Sequence, residues 1–209
     1  MYLHRRALAL TLLLFLFPLS PALGEVTPTL NSDAIKATFG SYGVEVIDQA
    51  AGTRVANLYS GYGTDKVCRT LAVTEFIQPI DNSLLQSHRE ILSGASIGAT
   101  LRASGFNINK KLLIKTEVPA NETFVSLAKG TTTEGARLFT KVYILFAETI
   151  DRSIPYAVIA EAYHPAHLPP VQEEVTESTE LRQAAERALE KLKKFRLDPS
   201  FKTAVASQS

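Results

Sequence analysis

One cysteine stands in 209 residues, so the chain can close no disulfide within itself and can build no cysteine metal cluster. Whatever fold it adopts has to hold by packing alone. Cys68 lies inside the apolar run Val67 to Phe76, where a free thiol behaves as a small buried hydrophobe. Charge of one sign is lacking too. The 22 basic and 21 acidic residues leave a formal net charge of +1, and a balanced surface gives no electrostatic reason to expect nucleic acid as a partner. No apolar run reaches the ~20 residues of a comfortable membrane span. Phosphate-binding loop, Gly-x-Ser-x-Gly and His-Glu-x-x-His motifs are absent, as are internal repeats and low-complexity segments.

The apolar run that does occur opens the chain. His4-Arg5-Arg6 precedes Ala7 to Phe17, Pro18 interrupts it, and Ala22-Leu23-Gly24 offers small residues where a signal peptidase reads. A charged beginning, a short apolar middle and a small-residue exit are the parts of a secretory signal. Residues 1–24 are expected to be cleaved, the mature chain to begin at Glu25, and the protein to be exported, periplasmic or secreted. An uncleaved anchor is the alternative. With cleavage no stable membrane anchor remains, and without a cysteine at the exit there is no lipid attachment site. Arg5 and Arg6 leave with the leader, so the mature chain is balanced to within one charge. It is long enough for one domain with a real core.

Glu25 to Asn31, with Pro28, reads as a lead-in, bounded at residue 40. From Tyr42 the pattern is short, β-rich and punctuated by turns. Tyr42 to Ile47, Thr53 to Ser60 and Lys66 to Ile77 read as strands, separated by Asp48–Gly52 and Gly61–Asp65. Loops this short join antiparallel neighbours. The period then changes: Asp81, Asn82 and Ser83 can cap a helix from Leu84 to about Leu92, and a second spans about Ser96 to Ala103. Asn107 to Val118 returns to strand, with Ile108, Leu112 and Ile114 alternating against Asn109, Lys111 and Lys115. Pro119 to Ser126 is a connection with room for a helical turn. Leu138 to Ala147 and Tyr156 to Tyr163 are the most apolar strands, which predicts a sheet covered on both faces near its middle.

The tail predicts a helix from Glu173 to Arg196, with acids gathered at its start and Lys191, Lys193, Lys194 and Arg196 at its end, as the helix dipole favours. Leu181, Ala185, Ala188, Leu189, Leu192 and Phe195 form one stripe. The stripe suits either packing on the sheet or a subunit contact that would make a homodimer. The fold class is α+β, a single mostly antiparallel sheet with helices over it.

Few residues carry chemistry. His164 and His167 flank Pro165-Ala166 and could present two ligands on one loop, but with no third ligand nearby they read as exposed loop histidines rather than a metal site. Asn121-Glu122-Thr123 is a glycosylation acceptor only where a host glycosylates it. Glu161 interrupts the apolar strand Ala157–Tyr163, where a carboxylate is costly unless paired, hydrogen-bonded or protonated. Arg54 sits beside the turn at Gly52 in another strand. Each is either an edge charge facing water or part of a site.

The order of several pieces from Arg54 to Pro165 resembles the chorismate pyruvate-lyase family and, more distantly, the UTRA ligand-sensing domains that share its fold. Arg54-Val55-Ala56-Asn57-Leu58 is followed, fifteen residues after Arg54, by Arg69 in Cys68-Arg69-Thr70. Ala95-Ser96-Ile97-Gly98-Ala99-Thr100-Leu101 resembles the family's Pro-Leu-Gly-x-x-Leu helix start. Pro155 to Pro165 resembles its closing strand Pro-x-x-x-Thr-Glu-x-x-x-Pro. Pro155 to Glu161 is one residue longer than the family's step, which calls for a bulge; Ala160 stands for its Thr and Ser96 for its usual Pro.

The resemblance implies a chorismate lyase-like domain over residues 41–170, with the C-terminal helix and tail at 171–209. It also implies an enclosed pocket for a small aromatic carboxylate. Arg54 would clamp the carboxylate, Glu161 would face the ring substituent at the other end, Ile97 would line the wall, and Arg69 would take a second carboxylate near the entrance. As a lyase, the protein would remove pyruvate from chorismate with Glu161 and Arg54 as catalytic residues and with no metal or cofactor. As a binding protein, it would hold such an acid without turnover. A structural protein without a pocket would instead leave Arg54 and Glu161 exposed.

Overall fold

Every stretch read as a strand forms one. The structure, a computed structural model, describes residues 30–50, 52–167, 175–176 and 178–197; the expected leader, residues 1–24, lies outside them. The chain runs α1 (Asn31–Phe39), β1 (Gly43–Ala50), β2 (Thr53–Ser60), β3 (Val67–Phe76), α2 (Leu85–Leu92), α3 (Ile97–Ala103), β4 (Asn107–Pro119), α4 (Glu122–Leu127), β5 (Arg137–Glu148), β6 (Ser153–Tyr163) and α5 (Thr179–Lys194). The six strands make one sheet, ordered β1-β2-β3-β6-β5-β4, and every neighbouring pair is antiparallel. The fold is α+β, consistent with the chorismate lyase-like arrangement.

The central strands are covered on both faces. On one side Leu71, Val73, Val142, Ile144, Val158 and Ala160 pack against Ala185, Ala188, Leu189 and Leu192 of α5. On the other, Phe76, Tyr143, Leu145, Tyr156 and Ile159 pack against Leu30, Leu84, Ile91 and Leu101 from the helices α1 to α3 and their flanks. Leu189 and Leu192 alone contribute roughly 3–6 kcal/mol by burial. The α5 stripe therefore lies on its own sheet, and the face from which a subunit contact was read is already occupied. Cys68 is buried in the α5-side core.

Three departures from the sequence reading have local causes. Asn31–Phe39, placed within the lead-in, is a helix: the Asp33 carboxylate accepts from the Leu30 N–H at 3.4 Å, and Gly40 ends it in the left-handed conformation, φ +77, which glycine adopts without cost. β1 continues past Ile47 because a bulge between Val46 and Asp48 keeps Asp48, Gln49 and Ala50 paired with β2. Finally, α5 begins at Thr179 and not Glu173. The preceding chain is drawn onto the sheet edge, where Val175 bridges Leu112 and the Thr176 N–H donates to the Leu112 carbonyl at 2.7 Å. Arg196 lies past the helix end, its guanidinium donating to the Phe195 carbonyl at 2.9 Å.

The bulge expected between Pro155 and Glu161 falls at Tyr156: Leu145 pairs with Ala157 and Phe146 with Pro155, leaving Tyr156 as the extra residue. Its ring is buried, edge-on to Phe76 and His88.

Candidate functional site

The register of four strands builds the floor of one cavity. One row across the sheet is Arg54, Thr74, Ile159 and Tyr143; the next is Ala56, Ala72 and Glu161. Small residues at Ala56, Ala72 and Thr74 leave space where Leu or Phe would have filled it. α1 contributes Asn31 and Ser32 to the walls, β1 contributes Val44 with Tyr42 just before it, and α3 contributes Ile97 and Gly98. Gly98 allows the roof to close, because a Cβ there would come within 2.8 Å of Leu30 Cδ2. The cavity measures about 70 Å³, against the ~10–15 Å³ that one water needs. Arg54, Ile97 and Glu161 all line it.

Arg54 is 1% exposed. Its Nη1 donates to the Ala95 carbonyl at 2.9 Å, Nη2 reaches the Gly94 carbonyl only at 3.5 Å, and Nε has no partner. Among the described residues it forms no ion pair. Burial lowers its pKa, with the Tyr42 and Tyr156 phenols acting the other way, yet a guanidinium stays charged at any physiological pH. The result is a buried cation, open to a cavity, without a counter-charge.

Glu161 is 4% exposed and stands two strands and two residues from Arg54, about 12 Å between Cα atoms by sheet geometry. Two neutral donors reach its carboxylate, and Lys141 stands opposite it on β5. The Tyr163 hydroxyl donates to Oε2 at 2.5 Å, and Asn31 Nδ2 reaches Oε1 at 3.4 Å and Thr70 Oγ1 at 3.1 Å. Because Asn31 donates through its nitrogen, its Oδ1 accepts from His167 Nε2–H, 2.8 Å away; this assigns the tautomer. The first residue of α1 thus ties β3, β6 and the following loop together at this end. Between the two ends, the Tyr42 hydroxyl is 3.3 Å from Ser96 Oγ. Burial raises the Tyr42 pKa; the Ser96 hydrogen bond opposes this and the Glu161 charge adds to it.

Arg69 is placed elsewhere. It is not among the lining residues; its Nε donates to Ser60 Oγ at 2.8 Å and its guanidinium stacks 3.8 Å over the Phe39 ring. A helix where the lead-in was expected supplies that ring. The loop histidines also differ from the reading: His164 and His167 are 3% and 2% exposed. His164 Nδ1 accepts from the Ala166 N–H at 3.1 Å, so its Nε2–H donates to Thr131 Oγ1 at 2.9 Å. Burial lowers both pKa values, and Arg69 adds to the effect. Among the described residues no group of three metal-ligating side chains occurs. Asn121 caps α4, accepting from the Phe124 N–H at 2.9 Å, and its amide nitrogen contacts the Phe195 carbonyl at 3.3 Å; this leaves it poorly placed for glycosylation.

Sequence reasoning missed Asn31, Tyr42, Lys110 and Tyr143 as lining residues. Two signals existed: Asp33 and Gly40 bracket a short helix, and Lys110 shares the alternating face of Ile108 and Leu112, where a lysine is out of place.

The arrangement can hold an anion at one end of a slot whose lining includes the apolar Leu58, Ile97, Leu145 and Ile159. No helix among the described residues is long and apolar enough to cross a membrane. No family model matches the chain, and no curated protein matches it. Among solved structures it is similar to the ligand-binding domain of a protein assigned to the GntR family of transcriptional regulators from Bordetella bronchiseptica, with 12% identity over 65% of this chain and 90% of that one, TM-score 0.41. It is also similar to a GntR-family transcriptional regulator from Enterococcus faecalis V583, with 14% identity over 64% of this chain and 96% of that one, TM-score 0.33. At these TM-scores neither likeness bears on what the cavity binds.

Proposed function

We propose that this protein is exported and binds a small aromatic carboxylate in the cavity between the sheet and helices α1 and α3. The observation that carries the reading is Arg54: a guanidinium this buried is costly without a counter-ion, and it lines the cavity with no acid beside it. A carboxylate supplies the missing charge and accepts two parallel N–H bonds. The apolar walls over a floor of small side chains suit a planar ring. Export rests on the leader at residues 1–24, and intact-mass measurement on secreted protein should give a chain beginning at Glu25; Met1 retained would overturn that part.

Calorimetry with 4-hydroxybenzoate tests the binding. The wild type should bind, and Arg54→Ala should lose about 10- to 150-fold in affinity. Affinity unchanged by the substitution would refute the assignment.

Glu161, at the far end of the same cavity, favours a second reading, a chorismate lyase that releases pyruvate as the ring becomes aromatic. Such catalysis would rest mainly on positioning. It stands second because chorismate is made in the cytoplasm and an exported lyase would meet little of it. Incubation of the mature protein with chorismate separates the two. Release of 4-hydroxybenzoate, lost in Glu161→Gln more than binding is, would make it an enzyme.

A further inference from the structure

One side chain outside the cavity lining touches both ends of the helix that walls it. His167 stands in the loop after β6 and is 2% exposed. Its Nε2–H donates to Asn31 Oδ1 at 2.8 Å, at the first residue of α1. Its ring lies 5.9 Å from that of Phe39, the last residue of the same helix, and 5.8 Å from that of Tyr163 on β6. Nδ1, the other ring nitrogen, is buried with no partner among the described residues.

α1 depends on such fastenings. Its nine residues make too short a helix to persist alone, and the Asp33–Arg102 ion pair at 3.3 Å is open to solvent and adds little. Leu30, Asn31 and Ser32 line the cavity, so release of α1 removes a wall.

A proton can enter the neutral ring only at Nδ1, where no acceptor meets it. Burial opposes the charged form most, the Glu161 carboxylate on β6 favours it, and Arg69 on β3 and His164 in the same loop oppose it. Glu161 already accepts from the Tyr163 hydroxyl and the Asn31 amide. α1 presents the neutral Asn31 and Phe39 to the ring. The docked helix therefore excludes the proton, whereas a ring released into water accepts it.

We propose that His167 is an acid-released latch: neutral, it fastens α1 across the cavity; protonated, it lets the helix leave the sheet and opens the cavity to solvent. Once released, the ring titrates near the ordinary ~6.5, so the open population rises by up to about 30-fold between pH 7.5 and pH 5. The latch acts on the wall, whatever the cavity holds.

Amide hydrogen exchange on the full mature protein without ligand tests it, with rates corrected for the intrinsic effect of pH. At pH 7.5 the amides of Ile35 to Gly40 should exchange through a local opening, faster than those of Val142 to Leu145 in β5 and almost unchanged by 1 M urea. At pH 5 the protection of α1 should fall about 10- to 30-fold. His167→Gln keeps an N–H for Asn31 but cannot titrate, and should abolish the change; His164→Asn should keep it. Equal α1 protection at both pH values, or α1 amides with the urea dependence of β5, would overturn the latch. So would a pH response that survives His167→Gln or disappears in His164→Asn. Should His167→Gln fail to fold, the wild-type pH and urea series decides alone. No ligand enters the measurement, so failure of the carboxylate reading leaves each of these outcomes as it is.

Discussion

Replacing Arg54 with methionine separates a residue kept for binding from one kept for the fold. Methionine retains an unbranched apolar stem of similar reach and discards the charge. The substitution loses the hydrogen bond to the Ala95 carbonyl, about 1.5–3 kcal/mol for a charged donor; the Gly94 contact at 3.5 Å is too long to add much. Against this stands relief from holding a cation out of bulk water with no acid beside it, a penalty of several kcal/mol per ion that water admitted to the cavity reduces. The two nearly offset. The stability of the ligand-free variant should lie within about 1 kcal/mol of the wild type, whereas breaking a buried ion pair costs about 3–5 kcal/mol.

Ligand then reveals the difference. At a hundred times its dissociation constant, 4-hydroxybenzoate should stabilise the wild type by about 2.7 kcal/mol, roughly 5–10 °C in melting temperature for a domain of this size. Arg54→Met, binding about 10- to 150-fold more weakly, should show about 1.4 to 0.3 kcal/mol, half of that shift or less. Urea titrations and thermal melts with and without the acid measure both quantities. A loss above 3 kcal/mol without ligand, with the ligand shift retained, would mean that Arg54 serves to hold the loop before α3 and that the binding argument is mistaken.

The remaining predictions probe the floor, the core and the buried histidines. Ala72→Leu puts three extra carbons into the middle of the cavity floor, so stability should change by no more than about 1–3 kcal/mol while calorimetric binding disappears. Cys68 is 0% exposed and burial pushes its thiol well above the usual range, so a thiol reagent should react slowly with the native protein and quickly in denaturant; equal rates would contradict the packing of β3. His164 and His167 have folded pKa values below the unfolded value of ~6.5, so the unfolded chain takes up protons first as pH falls. Their stabilising effect is complete above that pH and is lost below it, at a limiting slope of about 1.4 kcal/mol per pH unit for each ring. Urea titrations of wild type and a His164→Asn/His167→Gln variant between pH 7 and 5 should show the variant with the flatter profile, and parallel profiles would count against neutral native imidazoles.

Most of the sheet was legible because strand signals are local. Alternation, β-branched residues and Gly or Asp turns sit within a few positions of one another, and Thr53–Ser60, Val67–Phe76 and Ser153–Tyr163 all follow them. What escaped depended on residues far apart. α1 has only nine residues, too few to be stable by helix propensity alone; it persists because Ile35 is buried, Leu30 packs on Gly98, and Asn31 bonds Thr70, 39 positions away. The same is true of the start of α5. Its acidic lead was a sound helix signal, but the Leu112 carbonyl, offered by a strand edge over sixty residues earlier, captured the Thr176 N–H instead.

The site was legible to the extent that it broke the pattern of its own strand. Glu161 and Arg54 stood out as charges in apolar or strand-like settings, and both line the cavity. Lys110 breaks the pattern equally, on the face shared by Ile108 and Leu112, and the alternation drawn for that strand passed over it. Arg69 drew attention through a spacing that concerned the backbone and not the direction of its side chain. A bulge in the β2–β3 pairing skips Arg69, with Cys68 opposite Tyr59 and Thr70 opposite Leu58. An inserted residue of this kind re-aims the side chains beside it, and here the guanidinium ends on the ring of Phe39. A charge that violates alternation on a long regular strand is therefore the stronger pointer to this cavity, and a charge at a bulge the weaker one. By that criterion Lys110, which no motif matched, belongs with Arg54 and Glu161 among the residues whose substitution should alter what the cavity accepts.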